Sequence, residues 1–248
     1  MYIDAIADFD QALSIDPNNE LAFNNRGISK SSLARYKEAV ADFNRAILID
    51  PKWDSPYHNR ALTKSYMGLF AEAIPDYDLA ITLNPKNYRA WSNRGDAKSS
   101  LTLYDNAILD FNESILLEPK NARAYTSRGA AKNALRLYPD AITDCDNAIL
   151  IDPKLARSYN IRGFAKNHLD QYLDAIEDFN KSIELDPKNA YTYNNRGYAY
   201  YKLGGTRFYY QKAVDDYDRA TRLGNNNFKP NYEYRDAAAA AINKFGNY

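Results

Sequence analysis

A pattern that repeats every 34 residues constrains this chain more than any other feature of its sequence. A proline closes each unit, at Pro17, Pro51, Pro85, Pro119, Pro153 and Pro187. A small residue recurs inside each first half, at Gly27, Ala61, Gly95, Gly129, Gly163 and Gly197. A fixed period of this length is the signature of a stacked repeat array. The sequence therefore predicts a solenoid, whose core is buried between neighbouring units rather than around one centre.

Each unit reads as two amphipathic helices when positions are numbered from its first residue. The six units start at Glu20, Asp54, Tyr88, Ala122, Ala156 and Ala190. The first half has an aromatic at position 4, Gly or Ala at 8 and Leu or Met at 14, which is helical spacing on one face. The second half has an aromatic at 17 in five of the six units, Ala at 20, Val or Ile at 21 and usually an aromatic at 24. An Asp, Asn or Glu before the proline ends it, because proline disfavours helical geometry at the preceding residue.

This set of positions resembles the tetratricopeptide repeat over nearly the whole chain. The resemblance implies an all-α fold, a right-handed superhelical solenoid of antiparallel helix pairs. It also implies that the first helices line a concave groove, and that the protein holds a segment of another protein in it.

We predict one solenoid over residues 1–248, with half a repeat before six full ones. Residues 2–18 match the second helix of a unit, so the chain is predicted to be cut from a longer protein, with a native chain that starts in mid-repeat as the alternative. The uncovered apolar face of that helix invites pairing with another chain. The full repeats are 20–53, 54–87, 88–121, 122–155, 156–189 and 190–227, followed by a capping helix in 228–248 that starts near Pro230. The last repeat has four extra residues around Gly205 to Phe208, expected to lengthen a surface loop, with a contact finger as the alternative.

Two charges recur in every unit, arginine at position 7 and aspartate at position 23. An arginine that enters a packed helix interface needs a carboxylate, because a buried unpaired charge is costly. We therefore predict a structural Arg–Asp ladder, with a basic recognition stripe formed by the arginines as the functional alternative. The lysine at position 11 of five units is expected to be a solvated helix edge.

The groove positions of the first helices are the candidate binding site. Asparagine amides offer a donor and an acceptor to a peptide backbone, and position 6 supplies Asn25, Asn59, Asn93 and Asn195, although Ser127 and Ile161 interrupt the series. Arginines at position 2 give a basic middle, Arg89, Arg123 and Arg157. Tyrosines give an aromatic end, Tyr191, Tyr198 and Tyr201. We expect a peptide with acidic and apolar side chains. Position 5 has no lysine, which argues against the carboxylate clamp of co-chaperone repeats.

No catalytic group, cofactor or metal site is predicted. His58 and His168 lie three units apart, too far to share a metal, and Cys145 replaces an aromatic at position 24 as a buried hydrophobe. Lysine plus arginine equals aspartate plus glutamate, 32 each, which argues against nucleic acid and membrane partners. The expectation is a non-catalytic, cytoplasmic scaffold that binds a protein partner. The alternatives are a homo-oligomer formed through the N-terminal helix and the cap, and an accessory domain of a larger enzyme.

Overall fold

The computed structural model describes residues 2–224 and 231–245, and all regular secondary structure in those ranges is helical. The helices are α1 (Tyr2–Ile15), α2 (Glu20–Ser32), α3 (Tyr36–Ile49), α4 (Asp54–Tyr66), α5 (Phe70–Leu83), α6 (Tyr88–Ser100), α7 (Tyr104–Leu117), α8 (Ala122–Ala134), α9 (Tyr138–Ile151), α10 (Ala156–His168), α11 (Tyr172–Leu185), α12 (Ala190–Leu203), α13 (Arg207–Leu223) and α14 (Tyr232–Lys244). Pro230 and the predicted ends of the last repeat and of the capping segment lie outside the described residues. The chain divides into two compact units, Met1–Pro119 (unit 1) and Lys120–Tyr248 (unit 2).

An asparagine in the preceding linker caps four of the six first helices, α2, α6, α8 and α12. The side chain of Asn19 accepts a hydrogen bond from the backbone N–H of Ala22 at 2.9 Å, which satisfies one of the free donors of the first turn. Asn87, Asn121 and Asn189 cap α6, α8 and α12 in the same way. The aromatic at position 4 then fixes the linker: Tyr57 donates its O–H to the carbonyl of Pro51 at 3.2 Å.

The core forms where a second helix meets the first helix of the next repeat. Ala73 and Tyr77, at positions 20 and 24, are fully buried against Ala97, at position 10 of the following repeat. The small residue at position 8 permits the close approach within a repeat. A Cβ on Gly95 would lie 2.7 Å from the Phe111 ring, far inside a normal contact.

Helix α1 is packed on one side only. Its Ala5, Phe9 and Ala12 occupy positions 20, 24 and 27 and are only half-buried. In every full repeat the residues at these positions are fully buried, apart from a 1% exposure of Tyr217. Asp8, at position 23, is exposed. The described residues therefore leave one face of α1 uncovered.

Helix α14 occupies the place of the first helix of a further repeat. Its Ala238 is fully buried against Ala213 and Tyr217, as Ala97 is against its own neighbours. Its Arg235 bonds to Asp218 at 2.9 Å. This register puts Tyr232 at position 4 and Asp236 at position 8.

The four extra residues of the last repeat lengthen its helices, so the expected longer loop is wrong. The turn between α12 and α13 spans residues 204–206, and the corresponding turn after α2 spans residues 33–35, which is the same length. Helix α12 has 14 residues where α2 has 13, and α13 has 17 where α3 has 14. Gly204 and Gly205 take positive φ angles in the turn, which glycine adopts without a steric penalty.

Candidate functional site

The arginine at position 7 and the aspartate at position 23 meet in all six repeats, which confirms the predicted pairing. In unit 1, Asp110 accepts hydrogen bonds from Arg94 Nε at 2.9 Å and from Arg94 Nη2 at 2.7 Å. This two-point geometry recurs in the other repeats, in the pairs Arg26–Asp42, Arg60–Asp76, Arg128–Asp144, Arg162–Asp178 and Arg196–Asp216. Bidentate pairs of this kind are the strong form of the Arg–carboxylate contact.

The lysine at position 11 joins the same carboxylate, so its expected place on a solvated edge is wrong. Lys98 Nζ lies 2.8 Å from Asp110 Oδ2. Lys30, only 9% exposed, lies 2.7 Å from Asp42 Oδ2. Positions 7 and 11 are four residues apart and share a helix face, so both cations converge on one anion.

The second guanidinium nitrogen ties consecutive repeats together. Within unit 1, Arg60 Nη1 donates to Asn44 Oδ1 at 2.6 Å, and Arg94 Nη1 donates to Asp78 Oδ1 at 2.6 Å. Arg60 and Arg94 therefore each bridge the second helix of their own repeat and that of the repeat before. These guanidinium groups are committed to the scaffold and do not form a recognition stripe.

The last repeat lacks one member of the cluster. Tyr200 stands at position 11 in place of lysine, so Asp216 has Arg196 as its cationic partner without a second cation from that position. Burial raises the pKa of Asp216, since one arginine compensates less of the desolvation of the carboxylate.

The position 6 asparagines of unit 1 connect neighbouring first helices. Asn59 donates to Asn24 Oδ1 at 2.9 Å, and Asn93 lies 3.5 Å from His58 Nε2. Asn25 is exposed at the start of the series. The side-chain nitrogen of Asn59 is thus used inside the protein, and that of Asn93 lies beside the His58 ring.

A cavity of about 440 Å³ lies on this face of unit 1. It is lined by Tyr2, Ile28, Ser31, Ser32, Tyr36, Phe43, Asn59, Leu62, Thr63 and Tyr66. Most of these residues come from positions 6, 9, 12 and 13 of α2 and α4. Arg89 lies outside this lining, on the exposed side of α6, with its guanidinium 5.4 Å from the Tyr88 ring centroid.

Unit 2 holds a larger cavity, of about 720 Å³, on the same face of its first helices (the unit-2 cavity). It is lined by Ala130, Asn133, Ala134, Arg136, Tyr138, Asn160, Ile161, Phe164, His168, Tyr191 and Asn195. Tyr191 and Asn195 are candidate residues from the sequence. Arg123 and Arg157 are exposed on α8 and α10 but are not part of this lining.

Tyr198 and Tyr201, the other candidate tyrosines, pack against the last helix. Their ring centroids lie 5.2 Å and 5.1 Å from that of Tyr234 on α14. Both are half-buried there and outside the lining of the unit-2 cavity. Their contact with α14 explains the aromatic composition of this end as packing.

The binding residues predicted from the sequence did not include Arg136, Tyr138 or His168. The sequence pattern that could have identified Tyr138 and His168 is an aromatic residue at position 17 followed by Tyr or His at position 13 of the next repeat. Tyr138 and His168 stack with centroids 4.8 Å apart and planes at 1°. Tyr36 and Tyr66 hold the same positions in unit 1, 6.2 Å apart.

Models of known families match several of these helix pairs. The tetratricopeptide repeat model matches residues 22–52 and 88–121, and a second TPR repeat model matches residues 168–204. The chain is a tetratricopeptide repeat protein. A model of the protein prenyltransferase alpha subunit repeat also matches residues 70–97, which span α5 and most of α6. No curated protein sequence matches the chain.

Solved structures show the same fold at low sequence identity. A tetratricopeptide repeat protein from Parabacteroides merdae superposes with a TM-score of 0.70 at 20% identity, over 99% of this chain and 93% of the other. A chain of the APC/C hetero-tetramer Cut9–Hcn1 gives 0.78 at 16% identity over 98% of this chain, which spans 46% of that chain. YrrB, described as a TPR protein with an unusual peptide-binding site, gives 0.61 at 21% identity, over 80% of this chain and 97% of the other.

Tetratricopeptide repeats typically serve as scaffolds for protein–protein interaction. Among the described residues, no helix has the length and apolar character needed to cross a membrane.

Proposed function

We propose that this tetratricopeptide repeat protein is a non-catalytic scaffold that binds a segment of a partner protein on the face of its first helices. The observation that carries the proposal is the position of the two cavities. Each is lined mainly by residues at positions 2, 5, 6, 9, 12 and 13, the positions that look into the groove in this family. The peptide-binding site named for YrrB supports the same use of the fold.

The polar groups on this face suit an extended peptide. In unit 2, Asn195 donates to Asn160 Oδ1 at 3.2 Å. That bond leaves the Asn160 amide nitrogen and the Asn195 side-chain oxygen as a neighbouring donor and acceptor. A peptide unit offers the complementary pair, a carbonyl oxygen and an N–H, so main-chain recognition needs no particular side chain.

Selection from a displayed library of random peptides tests the proposal. Wild type is compared with Leu62→Glu and Phe164→Glu, one change on the first-helix face of each unit. Leu150→Glu is the matched control, because Leu150 is 84% exposed on a second helix. We expect peptides that bind wild type and the control but not the two face variants. Peptides lost only by the Leu150 variant would refute the proposal, as would a wild type that selects none. Circular dichroism must first show that each variant is folded.

Self-assembly is a second candidate, favoured by the open face of α1. Phe9 and Asp8 on that face hold positions that a first helix covers in every full repeat. A second copy is the occupant that this alternative requires. Light scattering at high protein concentration discriminates the two functions, because a strict monomer excludes assembly.

A further inference from the structure

The unit-2 cavity has an apolar floor where the asparagine series is interrupted. Ile161 takes position 6 and is 8% exposed, and Phe164 follows at position 9 of the same helix. Ala130 and Ala134 face them from α8. Alanine at these two positions leaves the space that larger residues would fill. Isoleucine therefore gives an apolar surface at a position where the other repeats have asparagine or serine.

One wall of the cavity is aromatic and uncharged. Tyr138 stacks on His168, and the Phe164 ring lies 4.6 Å from His168 at 60°. Burial and the nearby Arg136 lower the pKa of His168, so its ring is neutral at physiological pH. Aromatic rings prefer such offset and tilted partners, and the exposed ring of Tyr191 adds a surface at the rim.

The rim carries one positive charge without a carboxylate beside it in the lining. Arg136 is exposed at the end of α8, with a φ of 62° that turns the chain there. None of the described residues that line the cavity is Asp or Glu. The carboxylate of Asp170, near His168, accepts a hydrogen bond from the Tyr172 hydroxyl. The unit 1 cavity has no charged residue in its described lining, so the charge is particular to unit 2.

We propose that the unit-2 cavity binds an aromatic side chain of a partner segment that carries Asp or Glu next to that side chain. The ring enters between Phe164 and Tyr138, over Ile161, and the neighbouring carboxylate pairs with Arg136. The peptide group between them meets the free donor and acceptor of Asn160 and Asn195. This inference rests on the proposed function and names the class of segment that the cavity selects. A cavity of this volume is large enough for an aromatic side chain and its flanking backbone.

The test uses fluorescence polarisation with short labelled peptides of defined sequence. The first peptide has a central tryptophan flanked by aspartate and glutamate. The second replaces the tryptophan by alanine, and the third replaces the acidic residues by lysine. For wild type we expect the alanine peptide to bind at least about tenfold more weakly, since buried aromatic anchors dominate such interfaces. We expect the lysine peptide to bind about tenfold more weakly because of like-charge repulsion at Arg136.

Two variants locate the effect. Ile161→Asn restores the usual residue of position 6 and should remove the preference for tryptophan over alanine. Arg136→Glu should reverse the preference between acidic and basic flanks. Lys154→Glu is the charge-matched control, on an exposed linker of the same unit, and should change neither preference.

The outcomes separate this inference from the proposed function. If library peptides bind the first-helix face but wild type does not distinguish the three defined peptides, the scaffold function stands and the acidic–aromatic preference is overturned. Preferences that survive both Ile161→Asn and Arg136→Glu also overturn it, because they place recognition elsewhere. If no library peptide binds wild type at all, the proposed function fails and this inference fails with it. Urea melts of the variants exclude loss of folding as the cause.

Discussion

Removing one carboxylate from the Arg–Asp–Lys ladder should destabilise the repeat that contains it. Asp110 is 2% exposed and holds both Arg94 and Lys98. Asp110→Ala leaves two cations together in an interface that is mostly closed to water. The side chains of Arg94 and Lys98 are 14% and 19% exposed. Neither can move fully into solvent without breaking the packing of α6 on α7.

The magnitude follows from the burial and from the bonds that remain. Loss of one partner from a fully buried ion pair costs about 3–5 kcal/mol. Arg94 keeps its bond to Asp78, and water reaches part of both cations, so we expect a smaller loss of about 2–3 kcal/mol. For a chain of this length such a loss corresponds to about 5–10 °C in melting temperature.

The assay is urea denaturation followed by circular dichroism, with hydrogen exchange of α6 and α7 as the local measure. Local exchange is needed because repeat arrays lose two-state behaviour when neighbouring repeats differ in stability. The matched control is Asp8→Ala. Asp8 occupies the same repeat position but is exposed, so its loss should change stability by less than about 0.5 kcal/mol. Equal effects of the two substitutions would refute the structural role of the ladder.

Three further substitutions or conditions test the packing. Gly95→Ala should cost about 1–3 kcal/mol in a urea melt, because its Cβ would lie 2.7 Å from the Phe111 ring; an unchanged melt would mean that the ring has room to move. Pro75→Ala should stabilise the protein by about 1–3 kcal/mol, because this exposed proline lies inside α5 and removes a helical hydrogen bond; a lower midpoint would contradict this. Burial lowers the pKa of His58 to about 4, so the unfolded chain gains the proton first as the pH falls below about 6.5, and stability should fall by about 3 kcal/mol towards pH 4, an effect absent in His58→Gln.

The repeat architecture could be predicted from the sequence because the same residue types recur at the same positions in six repeats, which indicates that each repeat makes the same helix contacts. A single glycine says little, but a small residue at position 8 of every unit indicates a close helix approach, and Gly95 meets Phe111 in that way. The Arg–Asp pairing followed for the same reason. An arginine and an aspartate that recur together at fixed positions of paired helices are brought into contact by the fold itself.

The sequence could not predict contacts that depend on the direction in which a helix turns a side chain, or on the volume left between packed helices. Lys98 was expected in solvent because an amphipathic helix usually has a charged edge, whereas its phase relative to Arg94 turns it towards Asp110. The unit-2 cavity arises because alanines lie opposite Ile161 and Phe164. Only the packed helices show that this combination leaves an open volume, and the sequence alone indicated an interrupted series.

The two ends of the described chain differ in their capacity to pair, and Asp236 is the residue that decides it. It lies at position 8 of the α14 register, where the full repeats have Gly or Ala. That small residue packs against an aromatic ring at position 24, or against the Cys145 thiol in the case of Gly129. A second copy that placed Phe9 of α1 there would meet a carboxylate in an apolar contact, which is costly. We therefore expect wild type not to associate through α14 and α1, so the self-assembly considered as a second candidate function would have to cover α1 with another surface of the second copy. Asp236→Gly should permit the contact and bring Arg235 to Asp8, so sedimentation velocity should detect assembly that the further change Asp8→Lys abolishes. Assembly of wild type that Asp8→Lys abolishes would refute the argument that the buried carboxylate of Asp236 prevents the contact.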